Sequence, residues 1–405
     1  LYAHGGTVTV AGTRFAGNTA GDGESGFGGG LAAYGATVTG TDLVFEGNTA
    51  LLGGGHLYAR ESVVTCARCT LVSGAAENGG AVYLYDNELT LVGGSVSTNA
   101  ATETGGGIYA RSGSVVTLLS ADVEGNTADF GGGLLLSDAH LAATHARVDG
   151  NAAASGGGGI YFQASTGSLV NAVVSGNSAG TSNGGGVAVD TSSIQVYASI
   201  FAVNSGYSGG ALHVGDGALA TVANATLTEN ASGGSAGGIR VTGLGALDLT
   251  NSVIAWSSDG AGLSAYAGGL VSTTYDAFWE NEGGAVSGDY GDPTGTAGNV
   301  TVDPGFVSFA DDGAYADDLH LAPASALVDA GDPAVLDEDG TRSDIGAFGG
   351  PLGSGWDDRD GDVDGHPVAT DCDDDDPAVH PDVAGDPCGG GDQDCDGAVD
   401  EDCPD

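Results

Sequence analysis

A glycine-led motif that returns about every 26 residues constrains this chain more than any other feature. It reads GGGL at Gly28–Leu31, GGGH at Gly53–His56, GGAV at Gly79–Val82, GGGI at Gly105–Ile108 and GGGL at Gly131–Leu134. It continues as GGGI at Gly157–Ile160, GGGV at Gly184–Val187, GGAL at Gly209–Leu212 and GGIR at Gly237–Arg240. A fixed period of this length marks a repeat architecture, in which each unit packs on its neighbours and a continuous core forms only when several stack.

A second mark falls between the glycines, an asparagine closing a short apolar run. It occurs in FAGN (Phe15–Asn18), FEGN (Phe45–Asn48), VEGN (Val123–Asn126), VDGN (Val148–Asn151) and VSGN (Val174–Asn177). FAVN (Phe201–Asn204), LTEN (Leu227–Asn230) and FWEN (Phe278–Asn281) extend the series. Asparagine tolerates the left-handed conformation of a sharp corner, and stacked asparagines can hydrogen-bond from one turn to the next. Asn126, Asn151, Asn177, Asn204 and Asn230 are therefore the expected structural ladder. Runs such as Ala36–Thr39, Ser62–Thr65, Glu88–Val92 and Ala246–Thr250 alternate apolar and polar residues and read as strands, and no segment holds a helical period. The expected fold is all-β: a right-handed parallel β-helix of about 11–12 coils, a rod of roughly 55 Å at the strand spacing of a sheet.

Composition narrows the function. Eight arginines and no lysine face 54 acidic residues, a formal net charge of −46. Phosphate binding needs clustered cations, so nucleic acid is excluded as a partner and anionic membranes and polymers are disfavoured. No run approaches the ~20 apolar residues of a membrane helix, so no membrane insertion is expected. The chain has no methionine and no signal-like opening, which points to a processed or trimmed chain. Four of its six cysteines, at 372, 388, 395 and 403, sit in an acidic tail, a pattern of disulfides and an oxidising compartment. Cys66 and Cys69 lie inside a repeat, where a local disulfide or two small core residues is expected.

The alternation of FxxN with GG[AG][ILV] over roughly residues 12–285 resembles the repeat of the polymorphic outer-membrane proteins, a family of surface adhesins. After Gly284 the period fades. VDPGF (Val302–Phe306), DDLHLAPASALVDAGDP (Asp317–Pro333) and DIGAFGG (Asp344–Gly350) are similar to the closing segment of secreted bacterial β-helix proteins. That resemblance implies a cap over the open end of the core, without chemistry of its own. The expected domains are a solenoid over 1–300, terminal coils and cap over 301–353, and an acidic metal-binding tail over 354–405.

Residues 357–405 hold 19 carboxylates and one arginine. DGDVDGHPVATD (Asp360–Asp371) places Asp360, Asp362, Asp364 and Asp371 at positions 1, 3, 5 and 12 of a calcium loop, with Gly365 at 6 and the His366 carbonyl at 7. DQDCDGAVDEDC (Asp392–Cys403) repeats the phase with Asp392, Asp394, Asp396 and Asp400, Glu401 standing in for a final ligand, and Asp373 and Asp375 form a third cluster between them. The whole tail resembles the MopE-type metal-binding motif of bacterial surface proteins, which implies calcium and, in some members, copper. Carboxylates favour calcium, and His366 and His380 are the only imidazoles of the tail that would suit copper. Pairings Cys372–Cys388 and Cys395–Cys403 are expected, although four cysteines allow three connectivities.

The expectation is a non-enzymatic, structural or adhesive protein, extracellular or on a bacterial cell surface. Its partners would be other copies of itself in a head-to-tail homopolymer, or a surface glycan or protein. The alternative is a polysaccharide lyase or hydrolase on a β-helix scaffold, or a surface copper-binding protein. The arginines are scattered, and His140 and His145 with Asp138 and Asp149 read as the solvent face of a strand.

Overall fold

The computed structural model describes residues 1–21, 26–310, 317–367, 370–374, 376–383, 392–395 and 397. Its strands wind into a right-handed parallel β-helix of about eleven turns. One sheet of twelve parallel strands, from Tyr2–His4 to Val286–Gly288, takes one strand from each coil in sequence order. The following strands form a second, wider parallel sheet. There the strand continues through the midway turn for ten residues in Val63–Val72, Glu88–Ser97, Ser193–Ala202 and Leu219–Thr228, and elsewhere divides into two strands at it. A narrow third sheet closes the cross-section.

Coil-to-coil register stacks like on like. Leu31 pairs with Leu57, Leu57 with Val82, Val82 with Ile108, Ile108 with Leu134 and Leu134 with Ile160. All of these point inward and are buried. The glycines of the motif allow one coil to lie on the next. A Cβ at Gly133 would stand 2.6 Å from the Gly159 carbonyl oxygen, closer than atoms can approach.

The asparagines run through the core edge as a buried ladder. Asn126 donates its backbone N–H and its Nδ2 to Asn151 Oδ1, both at 2.9 Å, while Asn151 Nδ2 donates to the Val123 carbonyl at 2.8 Å. The same pattern links Asn151 to Asn177, Asn177 to Asn204 and Asn204 to Asn230. Asn99 also belongs to it, donating to Asn126 Oδ1. Each rung satisfies a buried N–H and a buried carbonyl that the corner would otherwise orphan.

A second column marks the midway turn of the wide sheet. In ten successive coils the turn residue has positive φ, between 46° and 60°: Asp42, Arg68, Gly93, Ser120, His145, Asn171, Ala198, Asn224, Asn251 and Tyr275. Nine of these carry a side chain, and Gly93 does not.

The closing segment departs from expectation. Instead of sitting only over the end of the core, it lies along the side of the last coils. Val253, Ala255 and Ala277 alternate with inward-facing Ile254 and Phe278, yet they too are buried, under Leu327 and Ile345. Ile200 and Ala202 are buried likewise, beside Leu319 and Ala347. The belt is held on the midway turns: Asn251 Oδ1 accepts the Asp332 N–H at 2.7 Å, Asn224 Nδ2 donates to the Asp344 carbonyl at 3.0 Å, and Asn171 Nδ2 donates to the Leu352 carbonyl at 2.9 Å. The last layer of the core is covered by half-buried Val271, Ala285, Val286 and Tyr290. A 3-10 helix, Gly353–Asp358, carries the belt into the tail.

Candidate metal centre

The tail follows the belt along the same side. Arg359 joins it to the solenoid, with Nη1 3.3 Å from Asp374 Oδ2 and Nη2 3.7 Å from Asp122 Oδ1. Beyond it the chain turns through Asp360–His366, and ligand oxygens of Asp360, Asp362 and Asp364 lie within 4.8 Å of one another.

In each of five carboxylates one oxygen serves the turn itself. The Gly365 N–H donates to Asp360 Oδ2 at 3.1 Å, the Asp364 N–H to Asp362 Oδ1 at 3.2 Å, and the His366 N–H to Asp364 Oδ1 at 2.7 Å. The Asp373 N–H donates to Asp371 Oδ1 and the Gly361 N–H to Asp374 Oδ1, each at 2.9 Å. The other oxygen of Asp360, Asp362, Asp364 and Asp371 is buried without a hydrogen-bond donor, whereas Asp374 Oδ2 already faces the Arg359 guanidinium. Asp362 is only 5% exposed and Asp371 7%. Burial, reinforced by the charges of Asp364, Asp371 and Asp360, pushes the Asp362 carboxyl up to about 6. Buried anionic oxygens without donors are costly unless a cation meets them, and a set of hard oxygen ligands suits calcium.

Of the residues singled out from sequence, Asp360, Asp362 and Asp364 are brought together, and Asp371 lies close enough to act on the Asp362 charge. Asp373 is exposed and turned to solvent. Asp374, outside the loop spacing, is buried at the cluster and could have been suspected only from the density of aspartates around it. In the second loop the Gly397 N–H donates to Asp392 Oδ2 at 2.9 Å, as in the first. Asp375, Asp396, Asp400, Glu401, Cys388 and Cys403 lie outside the described residues.

The expected cysteine pairings are corrected. Cys372 is bonded to Cys395, joining the two loops, so the Cys372–Cys388 and Cys395–Cys403 pairs do not form here. This disulfide also removes both sulfurs as metal ligands beside Asp371. Cys66 and Cys69 form a second, local disulfide within the core.

The imidazoles of His366 and His380 stack at 4.7 Å, with His366 Nε2 3.4 Å from Asp382 Oδ2 and His380 Nε2 3.9 Å from Asp364 Oδ2. His145 is not a solvent-facing residue: with Arg147 and Asn171 it lines a recess under Trp356 and Arg359, and burial lowers its pKa. A cleft of about 330 Å3 separates tail and solenoid, lined by Asp42, Arg68, Thr70, Ser95, Asp122 and Asp362.

Residues 29–201 match the family described as right handed beta helix region. The match lies within the solenoid and agrees with the winding of its coils. No curated protein matches the chain. The β-helix occurs in enzymes and non-enzymes alike, so function has to be argued from the sites grafted onto it.

Proposed function

We propose that this β-helix is a non-enzymatic structural or adhesive protein of the extracellular space or bacterial surface, whose acidic tail is ordered by calcium. The observation that carries the reading is the division of labour within Asp360, Asp362, Asp364 and Asp371, one oxygen on the turn and one left for a cation. The two disulfides favour an oxidising compartment. The resemblance of the tail to the MopE-type motif points the same way. Its partners are further copies of the chain, or a surface glycan or protein, and sedimentation with calcium and then with chelator separates these: large particles that shrink on chelation speak for a homopolymer.

The stacked pair His366 and His380 supports a second reading, a copper site. Among the described residues neither imidazole belongs to a group of three or more possible ligands, which favours the calcium reading.

The calcium reading is tested by titrating the chelator-stripped full chain. Saturable binding is expected, lost in Asp362→Asn, with melting of the folded chain shifted upward. At a hundredfold excess over Kd the added stability is about 2.7 kcal/mol. No saturable calcium binding at millimolar concentration sinks it, and tight copper binding lost in His366→Ala puts the copper reading in its place.

A further inference from the structure

The tail meets the solenoid at one coil that differs from its neighbours, and we infer that Gly93 is the seat on which the cation loop docks, and that calcium affinity depends on this docking. The inference rests on the calcium reading above. Along the midway turns, Asn251, Asn224 and Asn171 present side chains that hydrogen-bond the belt as it passes. At Gly93 the column has no side chain, and there the loop enters. A Cβ at Gly93 would lie 2.6 Å from Val363 Cγ2 and 2.8 Å from the Gly361 carbonyl oxygen.

Two observations tie this contact to the ion site. Val363 stands between Asp362 and Asp364, so the residue that fills the Gly93 gap is flanked by two of the three clustered ligands. It also has φ of 60°, a conformation that a β-branched residue adopts only when its surroundings impose it. The solenoid surface thus holds the loop in the turn that gathers the carboxylates. On the other side, the Asp362 carboxylate, 5% exposed with Oδ2 lacking a donor, is buried against the cleft containing Arg68 and Asp122. Gly93 and Val363 are positioning residues, and the ligands themselves are untouched by changing them.

The test is calcium titration of the full chain in three forms: wild type, Gly93→Leu and Val363→Asn. Asparagine tolerates positive φ, so Val363→Asn relaxes the loop while removing the contact. Docking that supports the site predicts weaker binding in both variants, on the order of tenfold. A self-sufficient loop predicts unchanged or tighter binding in Val363→Asn, and that result overturns the inference even if Gly93→Leu disturbs its own coil. Protease cleavage within the tail should become faster in both variants with calcium present. Wild type without calcium binding overturns the functional reading and this inference together, whereas wild-type binding with an unaffected Val363→Asn overturns this inference alone.

Discussion

Asn151→Ala is expected to destabilise the chain by about 3–5 kcal/mol, among the largest effects a single substitution produces. Asn151 is fully buried. Its Oδ1 is the acceptor for the Asn126 backbone N–H and for Asn126 Nδ2, and its own Nδ2 serves the Val123 carbonyl. Truncation takes these partners from the Asn126 N–H and the Val123 carbonyl, each costing about 1–3 kcal/mol before partial relaxation, and leaves Asn126 Nδ2 with the Val96 carbonyl alone. Because each coil leans on its neighbours, the loss is felt by the coils on both sides. Urea unfolding followed by far-UV circular dichroism measures it, with exposed Thr127→Ala as the reference, expected within about 0.5 kcal/mol of wild type. A cost below about 1 kcal/mol for Asn151→Ala would mean that water or a shifted turn replaces the rung.

Asp276 gives the second large effect, and its sign depends on pH. Its Oδ1 accepts the Ser252 N–H at 2.9 Å, while Oδ2 is buried without a partner. Complete burial raises its pKa well above the usual carboxylate range, against the pull of the backbone N–H groups. The folded chain therefore keeps a proton that the unfolded chain releases above a pKa of about 3.9. The associated stability is fully present below that pH and is lost as pH rises toward and through the folded value, at up to about 1.4 kcal/mol per pH unit. Asp276→Asn removes the titrating group. The next coil already uses asparagine at this place, since Asn299 Oδ1 accepts the Asp276 N–H at 2.9 Å and its Nδ2 donates to the Thr273 carbonyl at 3.1 Å. The variant should match wild type near pH 4 and exceed it increasingly toward pH 7, in denaturant unfolding at several pH values. Other raised carboxyls, such as Asp337 and Asp344, contribute equally to both forms and cancel in the difference. Parallel slopes for the two proteins would place the titration elsewhere.

The solenoid is legible in the sequence because its physics is local and repeated. A coil needs glycine where the next backbone lies close, asparagine at the corner and alternation along each strand, and each requirement recurs at every period. What is not repeated was not legible. The pairing of Cys372 with Cys395 depends on how two loops fold onto each other, which spacing does not encode. The side-on path of the belt depends on contacts such as Asn171 with Leu352, separated by 181 residues. One signal did exist: Ser199–Ala202, Val253–Trp256 and Ala277–Trp279 lose the alternation seen elsewhere, as strands covered on both faces do. In the tail, the phasing of Asp360, Asp362 and Asp364 was readable, whereas the part of Gly93 required the fold, because a lone glycine in a glycine-rich chain carries no mark.

Two coils depart from the asparagine ladder, at Gly74 and at Ser257, and the first departure ties two positions together. Gly74 stands where its neighbours have Asn48 and Asn99, and the gap is filled by the buried ring of His56. Its Nδ1 lies 3.0 Å from Asn48 Nδ2 and its Nε2 lies 3.0 Å from Asn99 Oδ1. Burial pushes its pKa down to about 4, so the ring is neutral and passes the hydrogen-bond chain on with Nδ1 accepting and Nε2 donating. A Cβ at position 74 would stand 2.6 Å from His56 Nε2. Gly74→Asn with the histidine in place has no room, and His56→Gly with the glycine in place breaks the chain of donors between two intact rungs. Each residue therefore constrains the other: asparagine at 74 needs the ring gone as well as room beside the Gly80 carbonyl, and glycine at 56 leaves the ring's two hydrogen-bond partners facing a gap.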